Sequence, residues 1–158
     1  MVRNLVLIRH AEAEQYSSAQ RDFQRKLTQH GMNQVELLGK KLLDFPLSWD
    51  AVYISPATRT QMTAEGAFGG LTPVPRLITS EELYEATPNL MKAFVTRIDP
   101  IFENVVLVGH NPGIVELFHY LTVDLCTYSP ATTAWLQFEG EWQHLAQNTC
   151  TVKEILSF

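Results

Sequence analysis

The 158-residue sequence is poor in cysteine and has fewer basic than acidic residues, and each shortage excludes a class of protein. Cys126 and Cys150 lie far apart without a C-x-x-C pair, so neither a disulfide framework nor a zinc knuckle is predicted. Twelve Lys and Arg against 17 Asp and Glu give a net charge of −5, which disfavours binding to nucleic acid or anionic membranes. No apolar run is long enough to span a bilayer, and Val2–Ile8 meets Arg9 too soon for a signal peptide. We therefore expect a soluble cytoplasmic protein.

The rest of the composition is typical of a globular protein. Hydrophobic residues make up 46% of the chain and charged residues 18%. A chain of this length can bury a substantial core without disulfides or metals. No internal repeat, low-complexity tract or linker-like change of composition divides it, so we expect a single domain over residues 1–158.

Three short apolar runs predict buried strands. They are Leu5–Ile8, Ala51–Ile54 and Val105–Val108. Runs that are apolar on both faces are typical of parallel strands covered by helices on each side. Thr132–Phe138 and Thr151–Leu156 predict two later strands, antiparallel and near a sheet edge.

Helical patterns alternate with these strands. One helix is predicted from its cap Thr28 to Phe45, where Pro46 stops it, and another over Pro88–Ile98. The alternation predicts a three-layer α/β/α sandwich whose mostly parallel central sheet carries an antiparallel edge strand.

Two further helices are predicted from a capping residue that stands before a proline. Ser55 precedes Pro56, which predicts a helix to about Ala67, and Asn111 precedes Pro112 in the same way.

Basic and imidazole side chains follow each of the three buried runs. Arg9 and His10 end the first, Arg59 lies shortly beyond the second, and His110 follows the third. Because ligands of open α/β sheets bind beyond the carboxyl ends of the strands, we expect these side chains to converge. In an acidic chain, such a cluster beside a helix N-terminus predicts an anion site, with phosphate as its natural occupant.

Each residue alone has a simpler interpretation. Arg9 and His10 fit a solvated strand end, and His110 fits a hydrogen-bonded core histidine. A metal site is the competing hypothesis, because the segment from His10 to Glu12 matches the H-x-E half of the zinc deaminase signature. The P-C-x-x-C half is missing, and neighbouring guanidinium groups would repel a cation, so the coincidence at three strand ends favours an anion.

Four motifs run in order between Leu5 and Ile114. The run Leu7-Ile8-Arg9-His10-Ala11 resembles an R-H-G signature with alanine in place of glycine, and Ser55–Arg59 matches S-x-x-x-R. Val108-Gly109-His110-Asn111 carries a second histidine, and Arg25–Gly31 is similar to R-P-L-T-x-x-G. Together these motifs resemble those of the histidine phosphatase (phosphoglycerate mutase-like) superfamily, and the last is typical of its short bacterial phosphohistidine phosphatase branch.

The resemblance implies a phosphoglycerate mutase-like fold and a phosphatase that needs no metal or other cofactor. It implies that His10 is the nucleophile and that Arg9, Arg59 and His110 hold the phosphoryl oxygens. Arg25 is a further candidate for substrate binding at the pocket rim, with a surface ion pair as the alternative. We expect neighbouring cations to lower the pKa of His10 and keep its ring neutral.

The general acid is less defined. Leu83-Tyr84-Glu85 best resembles the L-x-E placement of the superfamily, so Glu85 is the first choice and Glu82 the second. The alternative is that these carboxylates, with Glu81, are solvated surface charges. The phosphohistidine branch often lacks the acid, because a histidine leaving group needs less protonation.

Three functions remain open. The first is a phosphatase for phosphohistidine in a protein, favoured because the chain lacks insertions that would build a lid, so the site should be open. The second is a phosphatase for small phosphate monoesters with Glu85 as its acid, and the third is a non-catalytic phosphate-binding module. A mutase is least expected, because it needs a closed site.

Overall fold

The computed structural model describes residues 1–158 and shows a six-stranded mixed sheet between two layers of helices, the predicted α/β/α architecture. The strands are β1 (Val2–Arg9), β2 (Ala51–Ile54), β3 (Arg76–Thr79), β4 (Asn104–Gly109), β5 (Thr133–Glu139) and β6 (Thr151–Leu156). The helices are α1 (Gln29–Leu43), α2 (Thr58–Phe68), α3 (Pro88–Thr96) and α4 (Gly113–Thr122). Short 3₁₀ turns lie at Asp22–Gln24, Glu81–Leu83 and Trp142–His144. None of the helices is both long and apolar enough to cross a membrane.

The strand order is β3-β2-β4-β1-β5-β6. The three predicted buried strands, β2, β4 and β1, are neighbours and run parallel. The two late strands are antiparallel, as predicted, with β5 beside β1 and β6 at the sheet edge. Strand β3 was not predicted, because its side chains are mostly exposed at the other edge and form no apolar run.

The apolar runs are continuous because both faces of the sheet are buried. Leu5 and Leu7 of β1 belong to the core shared with α3 and α4, whereas Val6 and Ile8 pack toward α1 and α2. All four side chains are fully buried. A strand covered on both sides has no solvent face that would require polar residues.

Helix α1 begins as predicted, because the Thr28 hydroxyl accepts a hydrogen bond from the backbone N–H of Gly31 at 3.0 Å. It ends at Leu43, slightly before the predicted Phe45. A Cβ atom on Gly31 would lie 2.0 Å from the carbonyl oxygen of Glu12. The glycine therefore lets α1 pack directly on the backbone that follows β1.

The predicted start of α2 is wrong. The helix begins at Thr58 rather than Pro56, and its N-cap, Ala57, offers no side-chain hydrogen bond. Because the helix begins two residues later than predicted, Ser55 is not its N-cap, and its Oγ lies 2.7 Å from Nε2 of His110.

The cap predicted for α4 is also wrong. The helix begins at Gly113, after Pro112, and has no side-chain cap. Asn111 instead donates its side-chain N–H to the carbonyl oxygen of Tyr128 at 2.9 Å. Both residues predicted as caps thus form hydrogen bonds at the carboxyl edge of the sheet instead. Helix α3 ends at Thr96, before the predicted Ile98.

Candidate active site

The register of β1 and β4 brings the two predicted histidines together. Arg9, the last residue of β1, pairs with Gly109, the last residue of β4, and the next residues are His10 and His110. The backbone N–H of His10 donates to the carbonyl oxygen of Gly109 at 3.0 Å. The two imidazole rings consequently lie 5.3 Å apart between their centroids.

The His10 ring has one nitrogen fixed and one free. Nδ1 lies 2.7 Å from the carbonyl oxygen of Ala11. Because a carbonyl only accepts hydrogen bonds, Nδ1 must carry the proton, and Nε2 keeps its lone pair. Burial, followed by the charges of Arg59 and Arg9, lowers the pKa of His10 to about 4. The predicted lowering of the His10 pKa is confirmed, although burial is a larger cause than the neighbouring cations.

Ala11 stands where the superfamily signature has glycine. Its backbone N–H donates to the hydroxyl of Thr63 in α2 at 3.0 Å. The residue is fully buried and is not among those with a positive φ angle. Alanine therefore adopts the backbone conformation of this position without strain.

Two arginines border the histidines. Arg9 donates from Nη1 to the carbonyl oxygen of Tyr128 at 3.0 Å, and burial lowers its pKa. Arg59, in the first turn of α2, is only 5% exposed. Its two Nη atoms donate to the backbone oxygen of Asp22 at 2.8 Å and to Oδ2 of the same residue at 3.2 Å.

Unpaired polar atoms are concentrated at this edge of the sheet. Five buried side-chain nitrogen or oxygen atoms have no hydrogen-bond partner: Arg9 Nε, Arg59 Nε, His110 Nδ1, Asn111 Oδ1 and Trp49 Nε1. All except that of Trp49 belong to residues that follow or flank the ends of β1, β2 and β4. Buried polar groups without a partner are costly and call for an explanation, and a bound oxyanion would accept hydrogen bonds from the three nitrogens, although not from Asn111 Oδ1, which is itself an acceptor.

Asp22 joins three side chains around the site. Its Oδ1 lies 2.8 Å from Nη2 of Arg25, and its Oδ2 lies 3.2 Å from Arg59 and accepts from the Tyr84 hydroxyl at 2.7 Å. Partial burial opposes ionisation, but the hydrogen bonds from Tyr84 and Arg25 and the charge of Arg59 outweigh it and lower the pKa of Asp22 to about 2. The turn that carries Asp22 is thereby fixed to α2.

Arg25, the candidate for substrate binding, is hydrogen-bonded to Asp22 and Glu14. Nε and Nη2 bind Asp22, and Nη1 donates to the backbone oxygen of Glu14 at 2.6 Å. The ion pair given as the alternative is thus present, and substrate binding by Arg25 stays a prediction.

A cavity of about 410 Å³ adjoins the histidines on the side of His110. Its lining residues are Arg59, Leu83, Tyr84, Glu85, Ala86, Thr87, Pro88, Met91, His110, Asn111, Pro112 and Gly113. The Tyr84 ring meets His110 edge-on, with centroids 5.7 Å apart. Arg59 is the one Lys or Arg side chain in the lining.

The three candidate carboxylates occupy different places. Glu85 lines the cavity with Arg59 and His110, with an exposed side chain and φ of 54°. Glu82 is paired at the surface with Arg97 and does not line the cavity, and Glu81 is exposed. No group of three or more His, Cys, Asp or Glu side chains lies close enough to hold a metal ion.

Comparisons with known proteins agree with this site. The model of the histidine phosphatase superfamily (branch 1) matches residues 5–92. The SixA protein of Nakamurella multipartitia, assigned as a phosphohistidine phosphatase, is 26% identical, with a TM-score of 0.85 over 99% of this chain and 96% of that one. A search of curated proteins finds no significant match.

Two more distant structures show the fold alone. The protein histidine phosphatase SixA complexed with tungstate is 18% identical, with a TM-score of 0.82 over 98% of this chain and 96% of that one. An Escherichia coli protein assigned as an alpha-ribazole-5'-P phosphatase is 17% identical, with a TM-score of 0.71 over the same shares.

Proposed function

The chain belongs to the histidine phosphatase superfamily, and on that premise we propose that it removes a phosphoryl group through a phosphohistidine intermediate on His10. The observation that carries the proposal is the set of unpaired buried atoms of Arg9, Arg59 and His110 beside an imidazole with a free lone pair. Three donors around a nucleophile are suited to a phosphoryl group with three non-bridging oxygens.

In the first step, Nε2 of His10 forms a bond to phosphorus while the bond from phosphorus to the leaving atom breaks. The leaving atom keeps the electron pair. In the second step, water attacks phosphorus, Nε2 leaves with the bonding electrons, the water's proton passes to solvent, and inorganic phosphate departs. Arg9 and Arg59 supply fixed positive charge to the equatorial oxygens in both steps.

We expect the substrate to be phosphohistidine in a protein. The assigned activity of the 26% identical SixA protein supports this expectation. So does the cavity, because Leu83, Met91 and the edge of Tyr84 offer apolar surface to a flat leaving imidazole. With Arg59 as its one cation, the cavity offers little to a metabolite that carries a second acidic group.

The defining experiment is to trap the phosphoenzyme. Brief incubation with a ³²P-labelled phosphohistidine protein, followed by a quench that avoids acid, should leave label on His10. His10→Ala should carry no label and lose about 10⁴-fold or more in kcat/KM, because no other side chain offers the nucleophile. Circular dichroism should show that it remains folded. The absence of any adduct or phosphate release from the wild-type protein would favour a phosphate-binding module instead.

A small-molecule monoesterase is the second candidate, favoured by the place of Glu85 in the cavity beside His110 and Arg59. An alkoxide leaves poorly, so such an enzyme needs an acid, whereas phosphohistidine needs it less. Glu85→Gln should lower hydrolysis of an alkyl phosphate about 10²-fold but leave turnover of phosphohistidine nearly unchanged.

The matched control is Glu81→Gln, which removes an exposed carboxylate that does not line the cavity. It should leave both activities unchanged. If the wild-type enzyme prefers the alkyl phosphate and Glu85→Gln abolishes that preference, the monoesterase assignment replaces ours.

A further inference from the structure

Ser55 and His110 are placed side by side by the sheet. Ser55 is the first residue after β2, and its backbone N–H donates to the carbonyl oxygen of Val108 at 3.1 Å. His110 is the first residue after β4, the strand that pairs with β2. The serine is completely buried, and its Oγ lies 2.7 Å from Nε2 of His110.

The other groups around the Ser55 oxygen determine whether Ser55 or His110 donates this hydrogen bond. The Ser55 oxygen has one other neighbour, the backbone N–H of Ala57 at 3.5 Å, and that group can only donate. Nε2 of His110 is therefore the sole acceptor within reach of the serine proton. The reverse direction would leave a fully buried O–H without an acceptor.

A donating Ser55 fixes the tautomer of His110, that is, which ring nitrogen carries the proton. If Nε2 accepts, the proton of the neutral ring is on Nδ1. Burial, the charge of Arg59 and the proximity of His10 lower the pKa of His110 to about 3, so the ring is neutral near pH 7. Nδ1 is the nitrogen that is buried without a protein partner.

We propose that Ser55 is a positioning residue of this site, which holds His110 as the Nδ1–H tautomer so that this N–H donates to a phosphoryl oxygen. The inference rests on the proposed phosphatase function. Donation to His110 leaves the lone pairs of the Ser55 oxygen free, and this oxygen accepts the long 3.5 Å hydrogen bond from the backbone N–H of Ala57. Arg9 and Arg59 are permanently charged donors, whereas Ser55 makes the third donor available from a neutral ring.

The test reads the tautomer directly. Two-bond ¹H–¹⁵N spectra of the substrate-free protein at neutral pH should show His110 with a protonated Nδ1 and an unprotonated Nε2. In Ser55→Ala the Nε2–H form should become populated. Its kcat with phosphohistidine protein should fall about 10-fold to 100-fold with a much smaller change in KM, because the lost donor acts on charge in the transition state.

Thr122→Val is the matched control, because Thr122 is a buried threonine whose hydroxyl donates to the Phe118 carbonyl oxygen and accepts from the Asp124 N–H, without contact to His110. It should change neither the tautomer nor kcat. A protonated Nε2 in the wild-type protein would overturn the role of Ser55, as would a Ser55→Ala protein with an unchanged tautomer and kcat.

The spectra are recorded without substrate turnover, so they test the role of Ser55 independently of the phosphatase function. A protein with the predicted tautomer but no phosphoenzyme supports the role of Ser55 and contradicts the phosphatase function. An active enzyme with the opposite tautomer contradicts only the role of Ser55.

Discussion

The Nη atoms and the Nε atom of Arg59 have different surroundings. The Nη atoms are held by Asp22, and Nε is left without a partner beside the histidines. A planar group anchored at one side presents its remaining N–H bonds in a fixed direction. The anchor therefore determines where a phosphoryl oxygen can bind.

Arg59→Lys tests the need for this planar group. The ammonium cannot bind Asp22 and a phosphoryl oxygen in two fixed directions at once, so kcat/KM should fall about 10²-fold or more although the charge is retained. Steady-state kinetics with phosphohistidine protein would measure the loss. Near-normal activity in the lysine variant would show that charge alone is sufficient.

At the scale of single residues, the sequence predicts which side chains meet better than it predicts their hydrogen bonds. Arg9, His10 and His110 could be placed together because their position at strand ends depends only on chain order. The hydrogen bond between Ser55 and His110 could not be predicted, because a serine before a proline is equally typical of a helix cap. Which partner the serine finds depends on β4, which pairs with β2 but is distant in the sequence.

Among the elements, the buried strands were predictable and the edge strand was not. Strands β1, β2 and β4 are covered on both faces and leave continuous apolar runs, whereas β3 lies mostly exposed at an edge and leaves none. The turn at Asp22–Gln24 has no buried residue at all. It is joined to α2 by one ion pair and one backbone hydrogen bond between Arg59 and Asp22, which no periodic pattern encodes.

Asp22→Asn tests whether that turn positions α2. The amide keeps the size of the side chain but loses the charge that binds Arg25 and Arg59. Because a small misplacement of a binding group is costly for catalysis, kcat/KM should fall about tenfold.

Glu82→Gln is the control, since it breaks a surface ion pair with Arg97 outside the cavity and should leave kinetics unchanged. Equal kinetics for Asp22→Asn and Glu82→Gln would contradict the positioning role of Asp22.

For the whole molecule, the neutral histidines make folding sensitive to acid. Their pKa falls from the ordinary 6.5 to about 4 for His10 and about 3 for His110. Between those values the unfolded chain binds protons that the folded chain does not, so stability is fully present above about pH 6.5 and is lost as pH falls. Each histidine contributes a slope of at most about 1.4 kcal/mol per pH unit.

Urea unfolding at about pH 8 and about pH 5 would measure this dependence. The double variant His10→Asn/His110→Asn should lose less stability over the interval than the wild-type protein. An equal loss in both proteins would assign the acid sensitivity to other groups.

The pairing of β1 with β4 and of β2 with β4 also restricts how the length of the chain can vary among relatives. His10 and His110 face each other because Arg9 pairs with Gly109, and one added residue in either strand would displace a ring by about 3.3 Å and turn it to the opposite face. Insertions and deletions should therefore be absent from Val2–His10, Ala51–Ser55 and Asn104–His110. An alignment of relatives should show length differences confined to the connecting loops.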